Sequence, residues 1–318
     1  MNNGQWQIRN GDAGLPLGKW LGSARRLGSL SRAHLALETG RIFVNDVEQT
    51  LADAERQLQP GDVARVWINR VDVHALPFEE LPYDHLDIIH EDRHVLVIDK
   101  PAGLLSTPHP YLLYEASLFD LVEEYLNAKK RQPFIIHRID RDTTGLVLFA
   151  KTLEAQEKAR EQFERREPER IYLAITRGVP QPESGTWRDM IKWDRKLRRF
   201  RLANQTDEFP VEAICHYRVL ERFEHAALIE ARLVTGKRNQ IRLQAQAHGH
   251  PLVGERVFTD GAPASVEFHR QALHAYRLSF RHPINHRIVN PEAPLPGDFI
   301  QLLDRLRTSR TTEKSAYP

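Results

Sequence analysis

One stretch constrains what this chain can become more than any other: His137-Arg138-Ile139-Asp140-Arg141-Asp142-Thr143-Thr144-Gly145, followed by Leu146-Val147-Leu148-Phe149-Ala150-Lys151. Two carboxylates, two arginines and a histidine fall between two apolar runs, Phe134-Ile135-Ile136 and Leu146 to Ala150. Short runs rich in Ile, Val and Phe predict buried strands. Gly145 and the two threonines predict a turn between them. A dense block of charge is thus carried on a turn whose flanks enter a core. An ordinary charged loop with local ion pairs has the same composition, so the order of the residues has to discriminate.

At 318 residues the chain holds about two domains of ~100–200 residues each. Its apolar fraction of 41% supplies a sizeable core and argues against wholesale disorder. A net charge of +2 selects no partner, but its distribution is uneven. Arg188, Lys192, Arg195, Lys196, Arg198, Arg199 and Arg201 crowd one segment against Asp189 and Asp194, with Trp187, Trp193 and Phe200 interleaved. Cations neutralise phosphates and aromatic faces stack on bases, so this segment suits RNA; a solvated amphipathic hairpin suits it equally. The single cysteine, Cys215, excludes an intrachain disulfide and a multi-cysteine zinc site, and its apolar neighbours predict a core position. Met1 to Asp12 lacks the apolar centre of a signal peptide. No apolar run approaches the ~18–20 residues that cross a bilayer. A cytoplasmic monomer without a membrane partner is expected.

Residues 1–15 predict a flexible tail, and residues 16–70 a compact unit. In that unit Leu27 with Leu30, and Leu35 with Leu37, frame two short helical segments, with Ser29 or Ser31 as N-cap and Gly40 as terminator. Arg41 to Asn45 alternates, Asn45-Asp46 predicts a turn, and a strand from Val63 to Ile68 follows Pro60-Gly61-Asp62. Residues 71–85, with Pro77 and Pro82, predict a linker that lets the two parts be separated. Residues 86–308 then form the second domain, ahead of a frayed tail at 309–318. Leu86 to His90 and Val95 to Ile98 predict a hairpin. Ser117 and Thr152 are placed to cap helices, the second carrying Ala155, Ala159 and Phe163 as its buried stripe. Strands are expected at 171–175, 211–220, 226–234 and 273–280, and helices at 239–248 and 299–306. Many strands with few helices between them predict an α+β fold with a mostly antiparallel mixed sheet.

The order His-Arg-Ile-Asp-x-x-Thr-Thr-Gly resembles the catalytic loop of the pseudouridine synthases that act on large-subunit ribosomal RNA and some transfer RNAs. Four more segments match that family in order: Lys100 to Leu104, Arg170 to Ala174, Gly236 to Glu255, and Arg270 to Ala275. Residues 16–70 resemble the small RNA-binding module of a small-subunit ribosomal protein, through Ser31 to His34, Gly40 to Asp46 and Gln59 to Asp62. The resemblance implies an isomerisation that uses neither metal nor dinucleotide. It implies Asp140 as nucleophile or base, Arg242 as the cation that keeps it ionised, and Tyr172 as the face that stacks on the target uracil. Arg138 is implied as a wedge for the flipped-out uridine, with Arg141 beside it. Arg25, Arg26, Arg32 and Arg41 of the module, and Arg195, Lys196 and Arg198 of the basic segment, are the implied RNA contacts. Arg238-Asn239, Leu243-Gln244 and Glu255 depart from the commoner residues of the family.

The expected function is therefore isomerisation of uridines in structured RNA, foremost large-subunit ribosomal RNA. Transfer RNA is the alternative substrate, and a non-catalytic RNA-binding or ribosome-assembly factor the alternative class. A metal-dependent RNA hydrolase is disfavoured, because neither His248 with His250 nor His282 with His286 has a carboxylate at a ligand spacing.

Overall fold

The computed structural model describes residues 4–23, 26–38, 41–66, 86–108, 116–197, 199–259, 261 and 266–314. The expected linker at 71–85, Arg25 and Arg198 lie outside the described residues. The chain divides into two compact units, Met1–Leu86 with Leu104–Pro133, and Asp87–Gly103 with Phe134–Pro318. That division differs from the boundary the sequence predicts, since residues 104–133 group with the amino-terminal module.

In the first unit, β1 (Gly4–Gln7), β2 (Ile42–Val44), β3 (Val47–Gln49) and β4 (Val63–Val66) form an antiparallel sheet in the order β1-β4-β2-β3. Helices α1 (Leu17–Leu21) and α2 (Leu30–Glu38) close over it, burying Leu17, Trp20, Leu27, Leu37, Ile42 and Val66. The two-residue turn after β2 sets Asn45 and Asp46 at φ 52° and 64°, the hand that a tight hairpin requires. Two expectations are corrected here. The first residues are no loose tail: β1 pairs with β4, and Ile8 is buried. Leu27 lies in the turn between the helices, and Ser29 caps α2 by accepting from the Arg32 N–H at 3.2 Å.

Arg32 is corrected as well. Its side chain is 1% exposed, and its Nε lies 2.9 Å from Asp120 Oδ2. Asp120 belongs to α3 (Leu118–Asn127), where it closes a capping box with Ser117. A guanidinium enclosed in this way is withdrawn from phosphates. It also explains why residues 104–133 join the amino-terminal unit, together with the Ser31 to Glu123 hydrogen bond at 3.1 Å. Breaking a buried pair leaves a charge without compensation and costs about 3–5 kcal/mol. Arg32→Ala is therefore expected to lower the urea midpoint by that equivalent, and Arg32→Ala with Asp120→Ala to recover part of it. Equal midpoints for Arg32→Ala and wild type would dismiss the pair as a structural element. Deleting residues 1–81 removes Arg32 and is expected to destabilise the remainder through the orphaned Asp120.

The second unit holds an eleven-stranded sheet. Its strands are β5 (Asp87–Glu91), β6 (Val95–Lys100), β7 (Phe134–Ile135), β8 (Thr144–Ala150), β9 (Glu169–Arg177), β10 (Ser184–Asp194), β11 (Arg199–Leu202), β12 (Val211–Arg222), β13 (Ala226–Leu233), β14 (Leu273–Arg281) and β15 (Ile288–Val289). The main order is β11-β10-β12-β13-β9-β14-β8-β6-β5, with β7 on β8 and β15 on β14. Only the β8–β14 pairing is parallel among the described strands. This is the expected α+β mixed sheet. Strand β8 is buried at every position, as its continuous apolar run requires. Helix α4 (Leu153–Glu164) is capped by Thr152 and buries Ala155 and Ala159. Helix α5 (Gln240–Ala247) follows the β13 loop. Helix α6 (Gly297–Lys314) buries Phe299, Leu302 and Leu303, and continues through most of the expected tail.

Candidate active site

The polar loop runs from Ile136 to Thr143, between β7 and β8, and the second unit braces it from several sides. Lys100, fully buried at the end of β6, donates from Nζ to the carbonyls of Arg141 and Pro101, both at 2.7 Å. Burial pulls this ammonium down to about 7, while Asp142 and Asp140 pull it upward. Arg270 donates to the Asp142 carbonyl at 3.1 Å and is itself gripped by Asp298 at 2.7 and 2.9 Å. Thr144 Oγ1 meets His274 Nδ1 at 2.9 Å. Gly145 is not the turn residue that the sequence suggested. It lies inside β8 against Ala275, at φ 110°, where a Cβ would sit 2.3 Å from the Ala275 carbonyl oxygen. Only glycine permits that approach, and the parallel pairing that aims the loop depends on it.

Asp140 and Arg242 come together as expected, through a single hydrogen bond. Arg242, in the first turn of α5, gives Nη1 to Asp140 Oδ2 at 3.2 Å. Its paired donors go instead to Glu255, Nε to Oε2 at 2.7 Å and Nη2 to Oε1 at 2.6 Å. The Glu255 side chain is 1% exposed and also accepts from the N–H groups of Arg256, Val257 and Phe258. Burial pushes this carboxyl upward, but the hydrogen bonds and charge of Arg242 outweigh it and hold it below the ordinary range. Arg242 is held by Glu255 and offers one remaining edge to Asp140.

Asn239 is a neighbour that sequence reasoning missed. It precedes α5 in the left-handed conformation, φ 57° and ψ 22°, which asparagine tolerates better than most residues. Its side chain caps nothing and donates from Nδ2 to Asp140 Oδ2 at 2.7 Å. Oδ2 therefore carries two donors, whereas Oδ1 accepts none from the described residues. A signal was present, because Asn239 stands where the resembled family more often carries histidine. A hydrogen bond to a charged group contributes about 1.5–3 kcal/mol. Asn239→Ala is expected to lower kcat ~10-fold with KM nearly unchanged. Asn239→Asp replaces the donor with a like charge beside Asp140 and is expected to lower kcat at least as far. An unchanged kcat in both variants would show that position 239 does not act through Asp140.

Tyr172, on β9, is 9% exposed, and burial pushes its phenol up to about 12. It lines a cavity of about 500 Å³ together with Arg138 of the loop. His137 stacks on Phe163 at 5.1 Å, and its Nε2 accepts from the Leu148 N–H at 3.2 Å. Burial pulls this imidazole down to about 3, so it is a neutral brace. Arg141 is half-buried, and its contribution to the loop brace is the carbonyl that Lys100 holds. Arg195 and Lys196 are exposed at the tip of the β10–β11 hairpin. In the first unit, Arg26 lies over Trp20 at 3.7 Å and pairs with Asp12 at 3.1 Å, and Arg41 is half-buried after α2. Among the described residues no group of three or more His, Cys, Asp or Glu side chains is placed to hold a metal ion. No described helix is long and apolar enough to cross a membrane.

Comparison with known proteins agrees with this geometry. Residues 94–247 match the family model described as RNA pseudouridylate synthase. An RNA pseudouridine synthase of Synechocystis is 32% identical over 304 residues, covering 94% of this chain and 91% of the relative. One of Bacillus subtilis is 33% identical, covering 91% and 93%. The ribosomal large subunit pseudouridine synthase D of Pseudomonas aeruginosa is 41% identical over 240 residues, covering 71% and 73%. The fold is shared with the solved human RNA pseudouridylate synthase domain containing 4, at a TM-score of 0.58 and 24% identity, covering 69% of this chain and 92% of that one. Similarity that spans nearly the whole of both sequences leaves one conclusion: the chain belongs to the RNA pseudouridine synthases, the isomerases that form pseudouridine in RNA.

Proposed function

We propose that the substrate is large-subunit ribosomal RNA and that Asp140 acts on a uridine extruded from it. The carrying observation is the divided carboxylate, with Oδ2 tied to Arg242 and Asn239 and Oδ1 open to a partner, since it accepts from none of the described residues. Two donors on one oxygen fix the direction of the carboxylate. The open oxygen then suits either attack at ribose C1′ or removal of the 2′ proton. In either route the N1–C1′ bond breaks, the base turns over, and a C5–C1′ bond forms. The C5 proton leaves while N1 gains one, so no redox partner is needed. Tyr172 is read as the stacking face, its phenol kept protonated by burial. Arg138, exposed on the same loop, is read as the wedge that offsets unstacking.

Several relatives, including that of Pseudomonas aeruginosa, are named for the large ribosomal subunit, which supports this substrate over transfer RNA. The test is a map of pseudouridines in cells lacking this protein. Loss at one or a few large-subunit positions, restored by wild type and not by Asp140→Asn, is expected. Loss confined to transfer RNA would overturn the ribosomal assignment.

A further inference from the structure

The cavity beside Tyr172 contains more cation than the chemistry above requires. Its lining carries Arg138, Arg160, Arg166, Arg170 and Lys237 against one acid, Glu164, together with Phe163. Arg170 donates to the Val234 carbonyl at 3.3 Å. Arg138, Arg160, Arg166 and Lys237 make no side-chain hydrogen bond or ion pair with any described residue. Arg165, one residue from Arg166, instead pairs with Glu161 and does not line the cavity. Spacing on α4 accounts for part of the arrangement, since Arg160, Phe163 and Glu164 stand three and four residues apart and share a face. Arg166 follows the helix at φ 61°, a position that glycine or asparagine normally fills. An arginine is tolerated there, and its side chain reaches the cavity.

Like charges gathered on a half-enclosed wall repel one another until an anion joins them. Phe163 is already occupied, since His137 stacks on it at 5.1 Å and Arg170 lies over its ring at 5.8 Å, so the free groups of the wall are its cations. A phosphodiester is such an anion, and Tyr172, read above as the stacking face for the uracil, lines the same wall. We infer that this cavity binds the phosphodiester of a nucleotide adjacent to the target uridine, on Arg160 and Arg166. The inference rests on Asp140 being the group that meets the uridine. It adds a substrate site to which neither the amino-terminal module nor the basic hairpin contributes.

The experiment is a scan of neutral methylphosphonate linkages around the target uridine of a large-subunit rRNA fragment. Affinity is measured for wild type and for the Arg160→Ala/Arg166→Ala variant, both changes falling on exposed side chains. One linkage within two nucleotides of the uridine is expected to weaken wild type ~10-fold and the variant less than ~2-fold, because contacting groups are not additive. The variant should also show a shallower salt dependence of affinity, by ~0.7 for each phosphate that is no longer neutralised. Arg160→Lys/Arg166→Lys should recover most of the affinity. Equal weakening of both proteins at every linkage would overturn the site. Binding is read apart from turnover, so coupling that appears while Asp140→Asn turns over like wild type would refute the Asp140 reading alone.

Discussion

Asp140→Asn is expected to abolish pseudouridine formation, by on the order of 10⁴-fold or more, while RNA affinity stays within about twofold. The amide matches the carboxylate in shape. Its oxygen can still accept from Arg242 and Asn239, which leaves the NH₂ where Oδ1 stood. What is lost is the charge and the lone pair that would attack C1′ or take the 2′ proton. The fold should survive, because Arg242 keeps its two bonds to Glu255. The measurement is a single-turnover assay at saturating RNA alongside a thermal melt. A variant that turns over like wild type would remove Asp140 from the chemistry.

Arg242→Ala should damage both rate and stability. The rate falls by ~10²–10³-fold if a preorganised cation is what directs Asp140. Stability falls by about 3–5 kcal/mol, and the main source is Glu255, which is left buried beside backbone donors alone. Arg242→Lys should rescue little, because a point charge cannot serve Glu255 with two parallel bonds and Asp140 with a third. The pH dependence has a defined sign. Arg242 helps to hold the Glu255 carboxyl below its unfolded value of about 4.3. That stabilisation is present above the unfolded value and is lost as pH falls through the folded one. The gap in unfolding free energy between wild type and Arg242→Ala should therefore narrow on acidification below about pH 4. A gap that stays constant would place the stabilisation elsewhere.

Elements set by near neighbours were legible from residue order alone. Ser117 and Thr152 cap the helices assigned to them, Asn45-Asp46 makes its hairpin turn, and the apolar run after Gly145 is the buried strand β8. Each depends on side chains within about one turn or one hairpin, so a short window contains its cause. The Asp140 motif was legible too, as a pattern of residue types.

Only tertiary structure decided what those residues touch. Asn239 reaches Asp140 across 99 positions, and Arg242 spends its paired donors on Glu255. Arg32, read as an RNA contact, is enclosed with Asp120. Gly145 serves a parallel approach to β14, where the sequence pointed to a turn. Arg160 and Arg166 resemble any solvated charges on and just after a helix until Tyr172 and Phe163 appear on the same wall. The physical reason is common to these cases. Strand order and helix placement bring distant residues within hydrogen-bond range, and no local periodicity records that order. The sequence by itself determined which groups were available for chemistry. The sheet, through β8, β9 and β14, decided which of them meet.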